Sequence, residues 1–518
     1  MRDYADLSGG TRLVLSGESR PDAAATDDEA RAAQENAPMT DDEIAYLGAG
    51  GLLAAYRSRS LSPVEVARAL LARIDRLNPA LNCYCLVDED AAMAQAQASE
   101  ARWRAGEPVG ALDGVPASIK DLILTRGWPT LRGSLTVDPA GPWNEDAPAT
   151  ARLREAGAVL LGKTTTPEFG WRGSTDSALT GITRNPWRLD TTPGGSSGGA
   201  AAAVCAGLGP LAVGTDGGGS VRIPAAFTGT VGIKAHFGRV PAYPMSPMGT
   251  VAHIGPHART VADCALMLRE LARPDDRDWT ALPPTDHDWL QDVARGAREG
   301  GIRGLRIAYS PKLGYVNCLD PRVEAALGRA ARVFADLGAV VDNVDPPLPD
   351  SAHTFRVHWF SSARQFLHRL PAEKFALLDP GLQATVREAE RFTLVDFLDA
   401  QAMRGHLAKV MAEFHRDHDL LLTPAIAIPP FEVGRVMPEQ PAGTGAAPND
   451  WTWWTPYSYP FNLTQQPALV MGCGFTDDGL PLALQLVAPN HREDLCFRAA
   501  AAYEAATRWA VRRPALPQ

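Results

Sequence analysis

Two glycine-rich segments that carry serines are the part of this sequence best suited to chemistry. The first reads TTPGGSSGG and contains Ser196 and Ser197, and the second reads GTDGGGS and ends at Ser220. A small-residue run that predicts a helix and an apolar run that predicts a strand lie between them. Glycines allow close backbone approach to a ligand and leave N–H groups free to bind an oxyanion. Together the segments indicate a serine that attacks a carbonyl.

A serine needs a base before it attacks an amide, and the sequence offers a lysine for this role. Ser220 does not lie in the GxSxG elbow of hydrolases with a Ser-His-acid triad, and no histidine is placed nearby in a familiar pattern. A free lysine has a pKa of about 10.4, but burial without a carboxylate partner lowers that value. Lys120 ends the mostly apolar run LDGVPASIK, which would carry it into the interior on a strand. Lys120 is therefore the candidate base.

A third segment has the letters of a phosphate-binding loop. Residues 157–164, GAVLLGKT, match the pattern GxxxxGK[ST]. In a genuine loop of this kind a strand precedes the first glycine and a helix begins at the Lys-Thr pair. Here the upstream DAPATARLREAG predicts a helix that ends at Gly157, and Ala-Val-Leu-Leu itself predicts the strand. We interpret Gly157–Thr164 as a helix–strand turn, and a nucleotide-dependent enzyme is the alternative from another functional class.

Helical and strand patterns alternate along most of the chain. Capping boxes predict helices that begin after Thr40 and Ser62, and Pro79 predicts the end of the second. Short apolar runs predict buried strands: LDGVPASIKDLIL, AVLLG, PLAVGTD, LRIAYS and HDLLLTPA. This alternation predicts an α/β fold with a central mixed sheet covered by helices on both faces. The composition of residues 1–38 predicts a disordered or loosely attached tail. Residues 39–518 are predicted to form a single domain.

Composition and charge exclude several classes of partner. The net charge of −10 and the pI of about 5.6 argue against a nucleic-acid surface, so a small molecule is the expected partner. Residues 197–214 are uncharged but only weakly hydrophobic, which favours a buried segment over a membrane span. His415 and His418 lack an HExxH context, and neither a metal nor a cofactor is expected. Seven cysteines, mostly in apolar runs, predict buried thiols in the cytoplasm: Cys83, Cys85, Cys205, Cys264, Cys318, Cys473 and Cys496.

The serine segments resemble the signature of the amidase signature family, serine hydrolases with a Ser–cis-Ser–Lys triad. The resemblance covers about residues 40 to 505 and implies the twisted α/β fold of that family and a homodimer. It rests on several further blocks: SPVEVARALLARIDRLNPALN, LDGVPASIKD, DAPATARLREAGAVLLGKTTTPEFGW, TDGGGSVRIPAAFTGTVGIKAHFGRVP, GPHARTVADCALML and PFNLTQQPALVMGCGFTDDGLPLALQLVAP.

The resemblance implies a role for each residue of the triad. Ser220 would be the nucleophile, Ser196 the serine that passes its proton, and Lys120 the base. Ser196 and Ser220 are 24 positions apart, which is the separation found in the family and favours Ser196 over Ser197. A cis peptide bond between Gly195 and Ser196 is also implied.

The resemblance further implies an oxyanion hole and a pocket. The backbone amides of Gly217, Gly218, Gly219 and Ser220 would bind the oxyanion. Most family members carry a larger residue than glycine at position 217, so a looser loop or a roomier acyl site is expected. Residues expected to support the loop are Asp216, Arg222 and Ser197, and residues expected in the pocket are Gly170, Trp171 and Trp128.

The expected activity is hydrolysis of an apolar or aryl amide through an acyl-enzyme at Ser220. Aromatic residues near the predicted site favour such substrates over free glutamine. A urethane or carbamate hydrolase of the same family is one alternative. The glutaminase subunit of a tRNA amidotransferase is another.

Overall fold

Eleven strands of the described residues form one mixed sheet. The computed structural model describes residues 39–438 and 450–516, so the predicted tail at residues 1–38 lies outside the described residues. The α/β fold with helices on both faces of a mixed sheet is confirmed.

The strands follow one another across the sheet in the order β1-β3-β2-β6-β8-β7-β12-β13-β11-β9-β10. Pairs β3/β2, β2/β6, β11/β9 and β9/β10 are parallel, and the other neighbours are antiparallel. All five apolar runs predicted as strands lie in this sheet. The bounds are β1 Tyr84–Val87, β2 Pro116–Lys120, β3 Val159–Thr164, β6 Leu211–Asp216, β7 Val231–Lys234, β8 His253–Ala258, β9 Arg306–Tyr309, β10 Val340–Asn343, β11 Leu420–Pro424, β12 Ala468–Phe475 and β13 Pro481–Val487, with a separate hairpin of β4 Asp176–Ser177 and β5 Gly181–Ile182.

Helices occupy the connections between the strands. In chain order they are α1 Asp41–Ala45, α2 Ala49–Ser58, α3 Pro63–Leu81, α4 Glu89–Ala105, α5 Pro148–Glu155, α6 Gly198–Cys205, α7 Arg222–Thr228, α8 Val261–Leu271, α9 Trp289–Gly296, α10 Pro321–Asp336, α11 Ala352–Leu367, α12 Ala372–Phe375, α13 Pro380–Glu388, α14 Leu394–Phe414, α15 Pro460–Leu463 and α16 Glu493–Thr507. Short 3₁₀ turns cover Glu168–Gly170, Gly249–Val251, Ala389–Arg391, Trp451–Trp454 and Trp509–Val511.

Side chains alternate between the two faces of the sheet, as the two-residue period of a strand requires. In β3, Leu160 packs into one hydrophobic core, while Val159 and Leu161 pack into another. In β11, Leu420 and Leu422 belong to the first core and Leu421 to a third. Both faces of the sheet are therefore covered, which explains why its strands read as continuous apolar runs.

The residues that match the phosphate-loop pattern form a turn and a strand that follow a helix, as predicted. Helix α5 ends at Glu155, and Gly157 has φ +81°, a left-handed conformation that glycine adopts without strain. The strand is longer than predicted, because β3 continues through Gly162 and Lys163 to Thr164. The Lys163 Nζ donates to Ile123 O (2.9 Å) and to Thr130 Oγ1 (2.7 Å), so it faces the protein interior.

The ends of α1 and α3 test the capping predictions. Both capping boxes, at Thr40 and Ser62, are present. The prediction that Pro79 ends α3 is wrong, because the helix continues to Leu81 and ends where Asn82 takes φ +49°. Proline fixes φ near the helical value, so close to a helix end it costs little beyond one hydrogen bond.

The uncharged stretch of residues 197–214 is interior, as predicted. It forms α6 and the start of β6, and both are buried. Within residues 39–438 and 450–516, no helix is long and apolar enough to cross a membrane.

Candidate active site

Lys120 is the last residue of β2 and is fully buried. Its Nζ lies 2.7 Å from Ser196 Oγ and 2.9 Å from Ser197 Oγ. It also lies 2.8 Å from Thr215 Oγ1. Parallel pairing of β2 with β6 brings the lysine beside Thr215, and the two serines stand just before α6. The sheet thus joins Lys120 to both glycine-rich segments.

Burial sets the protonation state of this lysine. The pKa of Lys120 lies well below its usual range, because burial removes the ammonium form from water and the negative charge of Asp216 opposes this only in part. The three groups in contact with Nζ are neutral hydroxyls, which compensate a buried charge less than a carboxylate does. Lys120 therefore has the environment expected of a neutral base.

The two serines in contact with Lys120 differ in what else they bind. Ser197 Oγ donates to Thr215 O (3.1 Å) and accepts from the backbone N–H of Thr215 (3.2 Å). With Lys120 beside it, this hydroxyl has its proton and both lone pairs engaged. Ser196 Oγ, in contrast, contacts Lys120 and faces a cavity. Ser196 is the serine that is free to pass a proton.

Ser196 and Ser220 open into one cleft. The Gly195–Ser196 peptide bond is cis, as the resemblance implies. Ser220 stands between β6 and α7, and its carbonyl accepts a hydrogen bond of 3.2 Å from the N–H of Ser197. The two serine segments are thus in direct backbone contact.

The carboxylate of Asp216 shapes the loop that leads to Ser220. It accepts hydrogen bonds from the backbone N–H groups of Gly219 (2.9 Å) and Val221 (3.2 Å). The Gly219 amide is therefore engaged already, unlike the free donor that the resemblance implies. Among residues 39–438 and 450–516, the amides of Gly217, Gly218 and Ser220 have no hydrogen-bond partner. Three of the four implied oxyanion donors are thus available.

Arg222 holds this carboxylate from the other side. Its guanidinium donates to both oxygens of Asp216, at 3.0 and 2.9 Å, and its remaining contacts include Asn462 Oδ1 (2.6 Å) and Gln485 Oε1 (2.9 Å). Burial alone would raise the pKa of Asp216, but the Arg222 charge and hydrogen bonds from Arg222 and Asn462 hold it below its usual range. A fully buried, fully bonded ion pair fixes the loop, and neither side chain lines the cleft.

The space beside Gly217 is filled. A Cβ on Gly217 would lie 2.7 Å from Cζ3 of Trp359, which α11 places against the loop. The expectation of a looser loop or a roomier site at this position is therefore wrong. The indole takes the room that a larger residue at position 217 would use.

We expect Gly217→Ala to lower the free energy of unfolding by about 1–3 kcal/mol and to lower kcat/KM, because the methyl group overpacks against Trp359. Thermal unfolding and steady-state kinetics measure the two effects. A double-mutant cycle with Trp359→Leu measures the coupling between the two positions, which should be large because the methyl group and the indole compete for the same space. Gly405→Ala is the control, since a Cβ at Gly405 meets nothing within 4 Å. Wild-type stability and activity in Gly217→Ala would contradict the packing described.

The three residues predicted for the pocket have different positions. Gly170 lines the cleft, and a Cβ there would lie 3.1 Å from Ser196 Oγ. Trp171 is buried behind it, and its carbonyl accepts a hydrogen bond of 3.2 Å from Trp359 Nε1. The placement of Trp128 in the pocket needs correction, because its ring belongs to the core and its Nε1 donates to Asp88 Oδ2 (2.6 Å).

The sequence analysis did not predict several of the residues that line the cleft. Thr215 directly precedes Asp216 in GTDGGGS, and Phe169 precedes Gly170 in EFGW, so both lie inside segments that were already singled out. Trp359 and Arg132 carry no such signal. A stretch rich in proline and methionine, residues 242–248, also lines the cleft.

Comparisons with known proteins establish the family of this chain. Residues 65–497 match the model of the amidase family. The chain belongs to this family. The amidase is 38% identical to an acylamidase of Rhodococcus erythropolis over 485 residues, which cover 92% of this chain and 99% of that relative. It is therefore an amide hydrolase that acts on carbon–nitrogen bonds other than peptide bonds.

Two further similarities bear on its substrate. The amidase is 35% identical over 486 residues to a glutamyl-tRNA(Gln) amidotransferase subunit of Myxococcus xanthus, covering 88% of this chain and 96% of that relative. The crystal structure of a bacterial aryl acylamidase of the amidase signature family matches with a TM-score of 0.82 and 31% identity. That match covers 90% of this chain and 97% of the aryl acylamidase.

Proposed function

We propose that Ser220, Ser196 and Lys120 form the catalytic triad of this amidase and that its substrates are apolar or aryl amides. The observation that carries the proposal is the position of Lys120, a buried amine whose hydrogen-bond partners among the described residues are all hydroxyls, next to a serine that faces the cleft. Ser220 lies in the same cleft, which is where a nucleophile has to meet the substrate.

The proton moves along the triad in two directions. Neutral Lys120 Nζ accepts the proton of Ser196, Ser196 Oγ accepts that of Ser220, and Ser220 Oγ attacks the amide carbon. The proton then returns through Ser196 to the leaving nitrogen, because an amine leaves poorly unless it is protonated. Water repeats the same steps to release the acid from the acyl-enzyme.

The negative oxygen formed by this attack needs donors that are already in place. The free amides of Gly217, Gly218 and Ser220 supply them, and the Asp216–Arg222 pair holds the loop that carries them. Loss of one such donor typically costs about 3–4 kcal/mol of barrier. Ser197 supports the site by holding Lys120 against Thr215.

The lining of the cleft supports the substrate class. Large apolar side chains dominate it: Leu122, Ile123, Phe169, Met245, Met248 and Trp359. Among the described residues that line it, none is acidic. Free glutamine would bring an ammonium group that finds no carboxylate there, so the glutaminase alternative is disfavoured. An aryl amide finds the apolar contact area that an aromatic ring requires. The names of the acylamidase and aryl acylamidase relatives point to the same class.

The free cysteines support a reducing compartment, and we include a cytoplasmic location in the proposal. All seven cysteines lack a disulfide bond, and five of them are buried: Cys83, Cys205, Cys264, Cys473 and Cys496. Cytoplasmic proteins keep their thiols reduced in this way.

A panel of substrates tests the proposal. The purified amidase is given an acyl anilide, an aliphatic amide, an aryl carbamate and glutamine, and kcat/KM is measured for each. We expect the anilide to be hydrolysed fastest, with no partner protein present. A preference for the carbamate would instead establish the urethanase alternative. Activity on glutamine alone would establish the glutaminase alternative and overturn the proposed substrate class.

A further inference from the structure

Arg132 is the one charged residue among the described residues that line the cleft. His253 also lines it, but burial lowers its pKa well below the usual range and keeps it neutral. The other lining residues are apolar, glycine or hydroxyl-bearing. A chain with a net charge of −10 has therefore placed a single cation, and no anion, around its candidate site.

The charge of Arg132 is not neutralised within the described residues. Its guanidinium has no hydrogen bond or ion pair there, and burial lowers its pKa while Asp121 acts on it only through its field. Asp121 has other partners, since its carboxylate lies 3.5 Å from Lys163 Nζ and accepts from Gly133 N at 3.4 Å. A partly buried cation without a partner is costly, and an anionic ligand would remove that cost.

The backbone holds Arg132 in an unusual conformation beside the site. Arg132 and Phe169 both have left-handed φ values, 59° and 51°, and Phe169 N donates to Arg132 O at 2.8 Å. Such a conformation is disfavoured for residues other than glycine. Both residues line the cleft, and disfavoured backbone conformations cluster at functional sites.

The position of this pair indicates which half of a substrate would meet the arginine. Phe169 continues into Gly170, whose Cβ position lies 3.1 Å from Ser196 Oγ. Under the proposed function, Ser196 returns the proton to the leaving nitrogen. The leaving amine therefore lies on the side of the cleft where Arg132 and Phe169 lie.

We propose that Arg132 binds a carboxylate on the amine half of the substrate, so that the preferred substrates are N-acyl aminobenzoates and similar N-acyl arylamines that carry an acid group. The guanidinium presents a planar fork that matches a carboxylate, and the apolar lining accepts the ring between the acid and the scissile bond. This proposal rests on the proposed function and specifies its substrate.

Four substrates of closely related shape separate the effects. They are 4-acetamidobenzoate, its neutral analogue 4-acetamidobenzamide, acetanilide, and succinanilate, which carries its carboxylate on the acyl half. We expect the wild type to prefer 4-acetamidobenzoate to 4-acetamidobenzamide by about 10- to 100-fold in kcat/KM, since a hydrogen bond to a charged group contributes about 1.5–3 kcal/mol.

We expect Arg132→Gln to lose this preference, chiefly through KM, so that its kcat/KM falls about 10- to 100-fold more for 4-acetamidobenzoate than for acetanilide. Arg132→Lys keeps the charge without the fork and should retain part of the preference. Arg126→Gln is the matched control, because Arg126 lies on the same segment with an exposed side chain. Thermal unfolding is measured to check that each variant is folded. Inhibition by 4-aminobenzoate relative to aniline gives the same comparison as a binding measurement.

Three results would overturn the proposal. One is an equal loss on all substrates, which would mean that Arg132 only supports the fold. The second is a selective loss on succinanilate, which would place the arginine on the acyl half. The third is an unchanged preference in Arg132→Gln. None of these touches the proposed triad, which fails separately if Ser220→Ala still hydrolyses acetanilide.

Discussion

Ser220→Ala is expected to lower kcat by roughly 10⁶-fold, the size of the loss when a serine hydrolase is deprived of its nucleophile. The variant keeps the cleft and the oxyanion donors, so substrate should still bind with a similar affinity. A fluorophosphonate probe, which reacts with an activated serine, should label the wild type and leave the variant unlabelled. Steady-state kinetics and mass spectrometry of the labelled protein measure the two effects.

Ser177→Ala is the control for this experiment, because Ser177 lies in the separate β4–β5 hairpin and does not line the cleft. It should keep full activity and full labelling. If Ser220→Ala retained its turnover or its labelling, another residue would have to be the nucleophile, and the proposed triad would be wrong.

Lys120→Met is expected to lower kcat/KM by about 10²–10⁴-fold, the usual contribution of a general base. Only the neutral amine accepts a proton, so the wild-type rate should fall as the pH falls through the lowered pKa of Lys120. Methionine does not titrate, so this acid limb should be absent from the variant. Its residual rate should recover in part at high pH, where hydroxide takes over the role of the base. A pH profile of kcat/KM for both proteins measures this.

The same pKa shift has a consequence for stability. The unfolded chain binds a proton at Lys120 up to a pH near the ordinary lysine value, whereas the folded protein releases it at a lower pH. Between these two values the unfolded state binds more protons, so the free energy of unfolding of the wild type should rise with pH. In Lys120→Met this contribution is removed. Denaturant unfolding at several pH values compares the two slopes.

Lys163→Met is the matched control, because Lys163 is also buried and has a lowered pKa but lies outside the cleft lining. Its loss breaks hydrogen bonds to Ile123 and Thr130 and should reduce stability, while the acid limb of the pH profile persists. An acid limb that survives in Lys120→Met would mean that another group is the base.

The sequence alone determined the elements and the main chemical groups. Apolar runs such as PLAVGTD and HDLLLTPA read as buried strands because a sheet covered on both faces is apolar along each strand. A helix precedes Gly157 and a strand follows it, which is the reverse of the order in a phosphate loop. The sequence predicted this order because helix capping depends on residues close together in the chain. The sequence indicated Ser196 and Ser220 because they lie in glycine-rich segments. It indicated Lys120 because a lysine is unusual at the end of an apolar run.

Only the tertiary structure decided what surrounds these groups. Gly219 loses its free amide to Asp216, Trp359 fills the space beside Gly217, and Trp128 turns to Asp88 in the core. Each of these outcomes depends on contacts between residues far apart in the chain or on how a loop closes on itself.

Arg132 is the clearest case of a residue whose surroundings could not be predicted from the sequence. Nothing in the letters LRGS distinguishes it from the other arginines of the chain. What distinguishes it is the cleft around it and, within the part of the chain that the structure describes, the lack of a partner for its guanidinium. Local sequence specifies backbone geometry and which side chains prefer the interior. Which of them share a cavity depends on packing across the sheet, so the substrate preference proposed for this amidase rests on the tertiary structure.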